Sequence, residues 1–173
     1  MTTSDKGNAS KDKLCSLVLL RRTAADGHEE ILLAMKKRGF GAGRWNGAGG
    51  KVEKGETIEQ GMVREAIEEI NIVPRAYEKV AVLDFTMDAN TGSPWHMHGH
   101  VFVCYAWDGE PEESEEMTPR WFRLADIPYE EMWQDDIYWL PAVLAGQKLE
   151  CGFSFDEAES MLSASIRPVS KLR

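Results

Sequence analysis

Cysteine is scarce in this 173-residue chain: Cys15, Cys104 and Cys151 are far apart, odd in number and form no CxxC pair. Neither a disulfide framework nor a zinc knuckle is therefore expected, and a reducing compartment is. Cys104, flanked by apolar residues in Val-Phe-Val-Cys-Tyr, reads as a small core side chain. No stretch approaches the roughly 18 apolar residues of a membrane-spanning helix. The start lacks the apolar core of a secretory signal, and Asp5 and Asp12 without any arginine argue against a mitochondrial presequence. The expectation is a cytoplasmic monomer, with a mitochondrial or nuclear fraction as the alternative, that has a loose tail at 1–12 and one domain over 13–173. Basic residues are also in deficit, 20 Lys+Arg against 29 Asp+Glu, for a net charge of −9. Such a surface repels phosphate backbones and anionic lipids, so neither a nucleic-acid polymer nor a membrane is an expected partner. Internal repeats, low-complexity blocks and linkers are absent too.

What is present is an ordinary globular mixture, 43% hydrophobic and 28% charged. Leu14 to Leu20 reads as a buried strand, and a polar turn at Ala25-Asp26-Gly27 leads to a second strand over Glu30 to Met35. Residues 38 to 50 hold six glycines in thirteen positions, which signals close backbone approach just before a helical pattern. That helix should run from Thr57 to Ile70. Thr57 with Gln60 forms a capping-box pattern, and Asn71 suits a left-handed cap. Strands are expected at 79–87 and 98–107, joined by a turn over 88–94. A solvated acidic loop follows at 108–116, then a short strand at 121–124. A helix over 132–144 and strands within 149–167 complete the chain.

On the first helix, Glu65 and Glu69 lie about 40° apart, with Glu68 about 60° further round, while Ile58, Met62, Val63, Ala66, Ile67 and Ile70 fill the other half. Glu56 adds a fourth acid just before it. A lone cluster of this kind is more often a solvated face. Behind a glycine-rich loop, however, crowded carboxylates suit an oxygen-ligated Mg²⁺ and chemistry on a phosphate compound.

Gly50-x5-Glu56-x7-Arg64-Glu65-Ala66-x-Glu68-Glu69-x-Asn71-Ile72 resembles the Nudix box over residues 50–72, whose pattern is G-x5-E-x7-RE-U-x-EE-x-G-U with U bulky and apolar. Ala66 is small for its place and Asn71 replaces glycine, but every acid of the pattern is present. The likeness extends over roughly residues 14 to 160 to the branch of the family that acts on oxidised purine nucleotides. It is carried by 35–52 and by Met132-Trp-Gln-Asp-Asp-Ile-Tyr-Trp, and is weakest at 88–97 and in both tails.

The resemblance implies an α+β fold, an α/β/α sandwich around a mixed β-sheet. It also implies Mg²⁺-dependent hydrolysis of oxidised purine nucleoside triphosphates, with Mn²⁺ as a substitute metal. The implied metal ligands are Glu65, Glu68, Glu69, Glu116 and the main-chain carbonyl of Gly49. Glu69 or Glu116 would take the proton of the attacking water. Arg64 would orient Glu56 or Glu69, rather than clamp phosphate, and Lys51 meets either phosphate or solvent. The small-molecule nucleotide would sit among Ser16, Lys36, Phe40, Asn46, Gly50, Phe85, Met97, Trp133, Asp135 and Asp136. Ala48 and Met87 depart from the resemblance near that pocket.

Adjacent Asp135 and Asp136 are open to two readings: a helix N-cap with a neighbouring surface acid, or a base-reading pair with unequal pKa values. His96, His98 and His100 share one side of a strand. Without a nearby cysteine they read as a mix of surface and pocket-lining residues, zinc being the lesser reading. Two alternatives stand beside the oxidised-purine reading. One is a Nudix hydrolase of another nucleoside diphosphate derivative; the other is a catalytically silent nucleotide-binding module.

Overall fold

A computed structural model describes residues 11–87 and 95–173. The expected turn at 88–94, and all but the last two residues of the expected tail, lie outside the described residues. Those last two, Lys11 and Asp12, already belong to strand β1 (Lys11–Thr23), which pairs in parallel with the later strand β6 (Trp95–Asp108) from Lys11 onward. The ladder to a distant strand, invisible in the local pattern, is what extends β1 into the polar start.

One nine-stranded mixed sheet forms the middle layer. β1 continues through a turn into β2 (Glu29–Lys36), with Leu20 opposite Leu32. The glycine-rich segment is not merely loop: it contains β3 (Trp45–Asn46) and β4 (Ala48–Lys51), the latter antiparallel to β1. The rest of the sheet is β5 (Val73–Met87), β6, β7 (Met117–Arg123), β8 (Leu149–Phe155) and the edge strand β9 (Met161–Pro168). The path runs β3-β2-β1-β6-β5-β8-β9, with β4 on β1 and β7 on β2. The parallel pairs are β1 with β6 and β5 with β8.

Alternation along the strands sends side chains to two cores. Val18, Leu20, Leu32, Phe102 and Cys104 pack against Met62, Ala66 and Ile70 of helix α1 (Ile58–Ile70) on one face. Leu19, Leu33, Leu83, Val101 and Val103 pack against Trp139, Leu140 and Val143 of α2 (Asp136–Leu144) on the other. The molecule is thus an α/β/α sandwich.

α1 begins and ends where its sequence predicts. The Thr57 hydroxyl accepts the Gln60 N–H at 3.1 Å and Gln60 Oε1 accepts the Thr57 N–H at 2.9 Å, so two orphan donors are satisfied reciprocally. Asn71 takes the left-handed cap at φ 58°. α2 starts four residues later than the sequence suggests. Trp133 to Asp136 form a turn, closed by the Asp136 N–H on the Trp133 carbonyl at 3.1 Å, and the helix runs through Pro141 to Leu144.

Candidate active site

β4 lies between α1 and a cavity of about 550 Å³, within the usual range for small-ligand sites. Its glycines are there because nothing larger fits. A Cβ on Gly50 would come 2.7 Å from the Glu65 carboxylate, and one on Gly49 would collide with the Ser16 backbone. The strand can therefore lie flush against the acidic face of the helix.

On that face Arg64 is the organiser. Its guanidinium donates to both Glu56 oxygens at 2.6 and 3.1 Å, to Glu65 at 2.9 Å, and to Glu68 at 3.3 Å. It also donates to the Lys51 carbonyl at 3.0 Å. Of the two partners the sequence offered for Arg64, Glu56 is taken and Glu69 is not. Glu69 is buried, and its Oε2 accepts the Gly49 N–H at 2.9 Å. Burial, with the charges of Glu65 and Glu116 added, pushes its carboxyl up to about 7. Burial raises Glu65 too, against the pull of Arg64.

Glu116 is drawn to this face by the chain: its carbonyl accepts the Lys37 N–H at 2.8 Å, and its carboxylate lies 3.5 Å from Arg38. As these side chains stand, no three of them converge as a metal cage among the described residues. Glu65 and Glu68 point to Arg64, and Glu69 to the Gly49 amide. The donor set nevertheless fits a hard divalent cation: it is all oxygen, and after burial the charges of Glu65 and Glu116 add to the rise of Glu69.

Across β4, the cavity collects every residue expected around the nucleotide, Ser16, Lys36, Phe40, Asn46, Gly50, Lys51, Phe85, Met97, Trp133, Asp135 and Asp136, together with the expected metal ligand Gly49. The Asn46 carboxamide oxygen accepts the Gly47 N–H at 2.8 Å, which sets its orientation. The hydroxyl of Ser16 is buried and has no partner among the described residues.

Asp135 and Asp136 are each only 3% exposed. The N-cap reading fails, because Asp135 makes no side-chain capping bond. Instead its Oδ2 accepts the Trp139 indole N–H at 3.0 Å, while Oδ2 of Asp136 has no partner among the described residues. Burial pushes Asp135 up to about 6. Asp136 rises well above its ordinary value, through burial and then the charge of Asp135. A carboxyl held neutral here is a hydrogen-bond donor in an otherwise apolar wall.

The three histidines do not line the cavity. They share a side of β6, while Met97, Gly99 and Val101 face the cavity. His98 pairs with Asp84 at 2.6 Å, and no metal-holding group forms around the three among the described residues. Ala48 is also not a pocket residue; it is buried against α1. Met87 does line the cavity, as do Arg44, Trp95, Met117, Trp139, Phe155 and Glu159, which the sequence did not single out. Trp139 was within reach, four residues after Asp135 on the same helix. Glu159 was not, since the hairpin that delivers it is fixed only by β8–β9 pairing.

A sandwich with a carboxylate-bearing helix after a glycine-rich strand is the architecture of one hydrolase family. Residues 16–143 match the NUDIX domain, and the chain belongs to that family. Nudix hydrolases generally use a divalent metal. The chain is similar to the oxidized purine nucleoside triphosphate hydrolase of Mus musculus, at 45% identity over 161 residues covering 92% of this chain and 97% of that protein. Its likeness to the protein of the same name from Danio rerio is 39% over 160 residues, covering 92% and 97%. A crystal structure of a MutT protein from Bacillus halodurans superposes with a TM-score of 0.76 over 89% of this chain and 97% of that one. At 20% identity that last likeness concerns the fold alone.

Proposed function

We propose that the protein is a Mg²⁺-dependent pyrophosphohydrolase that converts oxidised purine (deoxy)nucleoside triphosphates to monophosphate and pyrophosphate. The observation that carries this reading is the adjacent buried pair Asp135–Asp136 in a cavity walled by β4, whose other side carries the acidic helix. The names of the two vertebrate relatives support the same substrate class.

Glu65, Glu68, Glu69, Glu116 and the Gly49 carbonyl would hold the metal. When bound, Mg²⁺ neutralises triphosphate charge and lowers the pKa of a coordinated water. Glu69 or Glu116 accepts the proton of the attacking water. Arg64 orients Glu56, Glu65 and Glu68 through the hydrogen bonds of its guanidinium. Lys36 and Lys51 line the cavity and can offset the charge of a polyanion. At the base, the ionised member of the aspartate pair accepts from a purine N–H, and the protonated member donates to an oxo group or ring nitrogen. Exchange of that proton lets one wall read both 8-oxoguanine and 2-hydroxyadenine edges. Asn46 supplies a further donor and acceptor, and Trp133 a stacking face.

The test is hydrolysis of dGTP, 8-oxo-dGTP, 2-hydroxy-dATP, ADP-ribose and a diadenosine polyphosphate, with and without Mg²⁺. Pyrophosphate release from the two oxidised nucleotides above dGTP, only with metal, is expected. Preference for ADP-ribose or the dinucleotide selects the other Nudix reading, and no turnover of any compound rejects an enzyme.

A further inference from the structure

Trp133 is not held by its own segment alone. The guanidinium carbon of Arg44 lies 4.0 Å from the centre of its ring, against one face. A Cβ on Gly41 would come 3.3 Å from the same ring, so the glycine backbone closes on it. Arg44 is in turn gripped from across the molecule: Nη2 donates to Glu159 Oε2 at 2.9 Å, over 115 positions of sequence.

Glu159 sits in the turn between β8 and β9 at φ 61°, a left-handed conformation unfavourable for a residue with a long side chain. The turn is built to hold it there. Asp156 Oδ1 accepts the N–H groups of both Ala158 and Ser160 at 2.9 Å. The Asp156 N–H donates to the Ser160 carbonyl at 2.9 Å. A second strap joins this turn to the tryptophan segment, since Gln134 Oε1 accepts the Met161 N–H at 2.8 Å. A glycine would relieve the backbone, yet it would lose the carboxylate. An ion pair at this exposure adds little to stability, so the strained glutamate is not explained by folding.

We propose that Arg44 and Glu159 are positioning residues for base recognition: their ion pair fixes the plane of Trp133, whose ring lines the cavity beside Phe40. This rests on the oxidised-purine reading for the identity of the base, but the clamp on the indole stands apart from it. Arg44 suits the role because a planar guanidinium can stack on the ring and hydrogen-bond in its own plane at once.

The test uses Arg44→Met, Glu159→Gly and Trp133→Ala in the full chain. Arg44→Met and Glu159→Gly should raise KM for 8-oxo-dGTP about five- to tenfold, the scale of a weakened cation–π and stacking contact, with kcat retained. Glu159→Gly should keep or raise Tm, because the left-handed strain is gone, so its KM effect cannot come from unfolding. In a Trp133→Ala background neither change should move KM further. The Trp133 indole ¹⁵N–H signal, assigned by its loss in Trp133→Ala, should show a lower order parameter in both variants without any nucleotide. An unchanged indole order parameter overturns the clamp. So does an undiminished KM effect in the Trp133→Ala background, which would mean that Arg44 touches the nucleotide itself. If the unaltered protein hydrolyses no oxidised purine, the functional reading falls, and the indole measurement still decides the clamp.

Discussion

At α1, Glu56, Glu65 and Glu68 gather round one guanidinium, whereas of Asp135 and Asp136 at the start of α2 only Asp135 takes the Trp139 indole N–H, and both lie almost out of reach of water. In the first group a cation is built in beside the acids: Glu56 is held below the usual carboxylate range by its hydrogen bonds to Arg64 and the Glu53 N–H, though burial still lifts Glu65. The second has no cation acting on it among the described residues, so burial decides, and both pKa values rise. Glu69 stands between the two regimes. It belongs to the helix face but is buried, and rises to about 7. The same functional group is thus prepared for metal and water on one side of β4, and for neutral hydrogen-bond donation on the other.

The sharpest way to break this division is Glu69→Gln. If the helix face does the proton and metal work, kcat should fall on the order of 10²- to 10⁴-fold. Binding of the 8-oxo-dGMP product, followed by calorimetry, should barely change. Equal losses of kcat and product affinity would mean that the two regions are not separate.

Gly50→Ala asks whether β4 must lie flush between them. The new Cβ would meet the Glu65 carboxylate at 2.7 Å, so the acid or the strand must move. A displacement of this kind is expected to lower kcat/KM by roughly 10- to 100-fold. It should also raise the Mg²⁺ concentration at half-maximal rate. Wild-type metal dependence would show that the close approach is incidental.

Asp136→Asn is the gentlest probe of the buried side. A carboxyl whose folded pKa lies above its unfolded value favours folding fully below the unfolded pKa. That advantage is lost as pH rises through the folded one. For Asp135 the window opens near 3.8 and closes near 6, and for Asp136 it extends higher. An asparagine does not ionise, so the variant should melt above the parent at pH 8 and lose that margin at pH 5. At about 2–4 °C per kcal/mol for a chain of this size, the gain should be readable in a melting curve. The same change should flatten the preference for oxidised over ordinary purine. A pH-independent difference in Tm between the two proteins would contradict neutral burial of the pair.

Legibility in the sequence followed the range of the forces involved. α1 was readable to its ends, because the Thr57–Gln60 box and the Asn71 cap are contacts within four residues. Arg64 with Glu56 was readable as a pairing, since both lie on one short stretch. β3 and β4 were hidden inside a glycine-rich run: their strand character comes from β1 and β2, not from propensity. The histidines were placed on one side of a strand correctly. Which side faced the cavity depended on the register of β6 with β5 and β1.

By itself, then, the sequence determined the chemistry on offer: an acidic helix face with its arginine, a glycine-rich approach to it, and an aspartate pair beside a tryptophan. Those are statements about residue type and short spacing, which local geometry preserves. Only the tertiary structure decided which carboxylates stay charged and which are dried out, because a pKa depends on what the rest of the chain packs around the group. It alone brought Glu159 across 115 positions to Arg44 over the Trp133 ring, since that contact depends on sheet pairing, which no local pattern encodes.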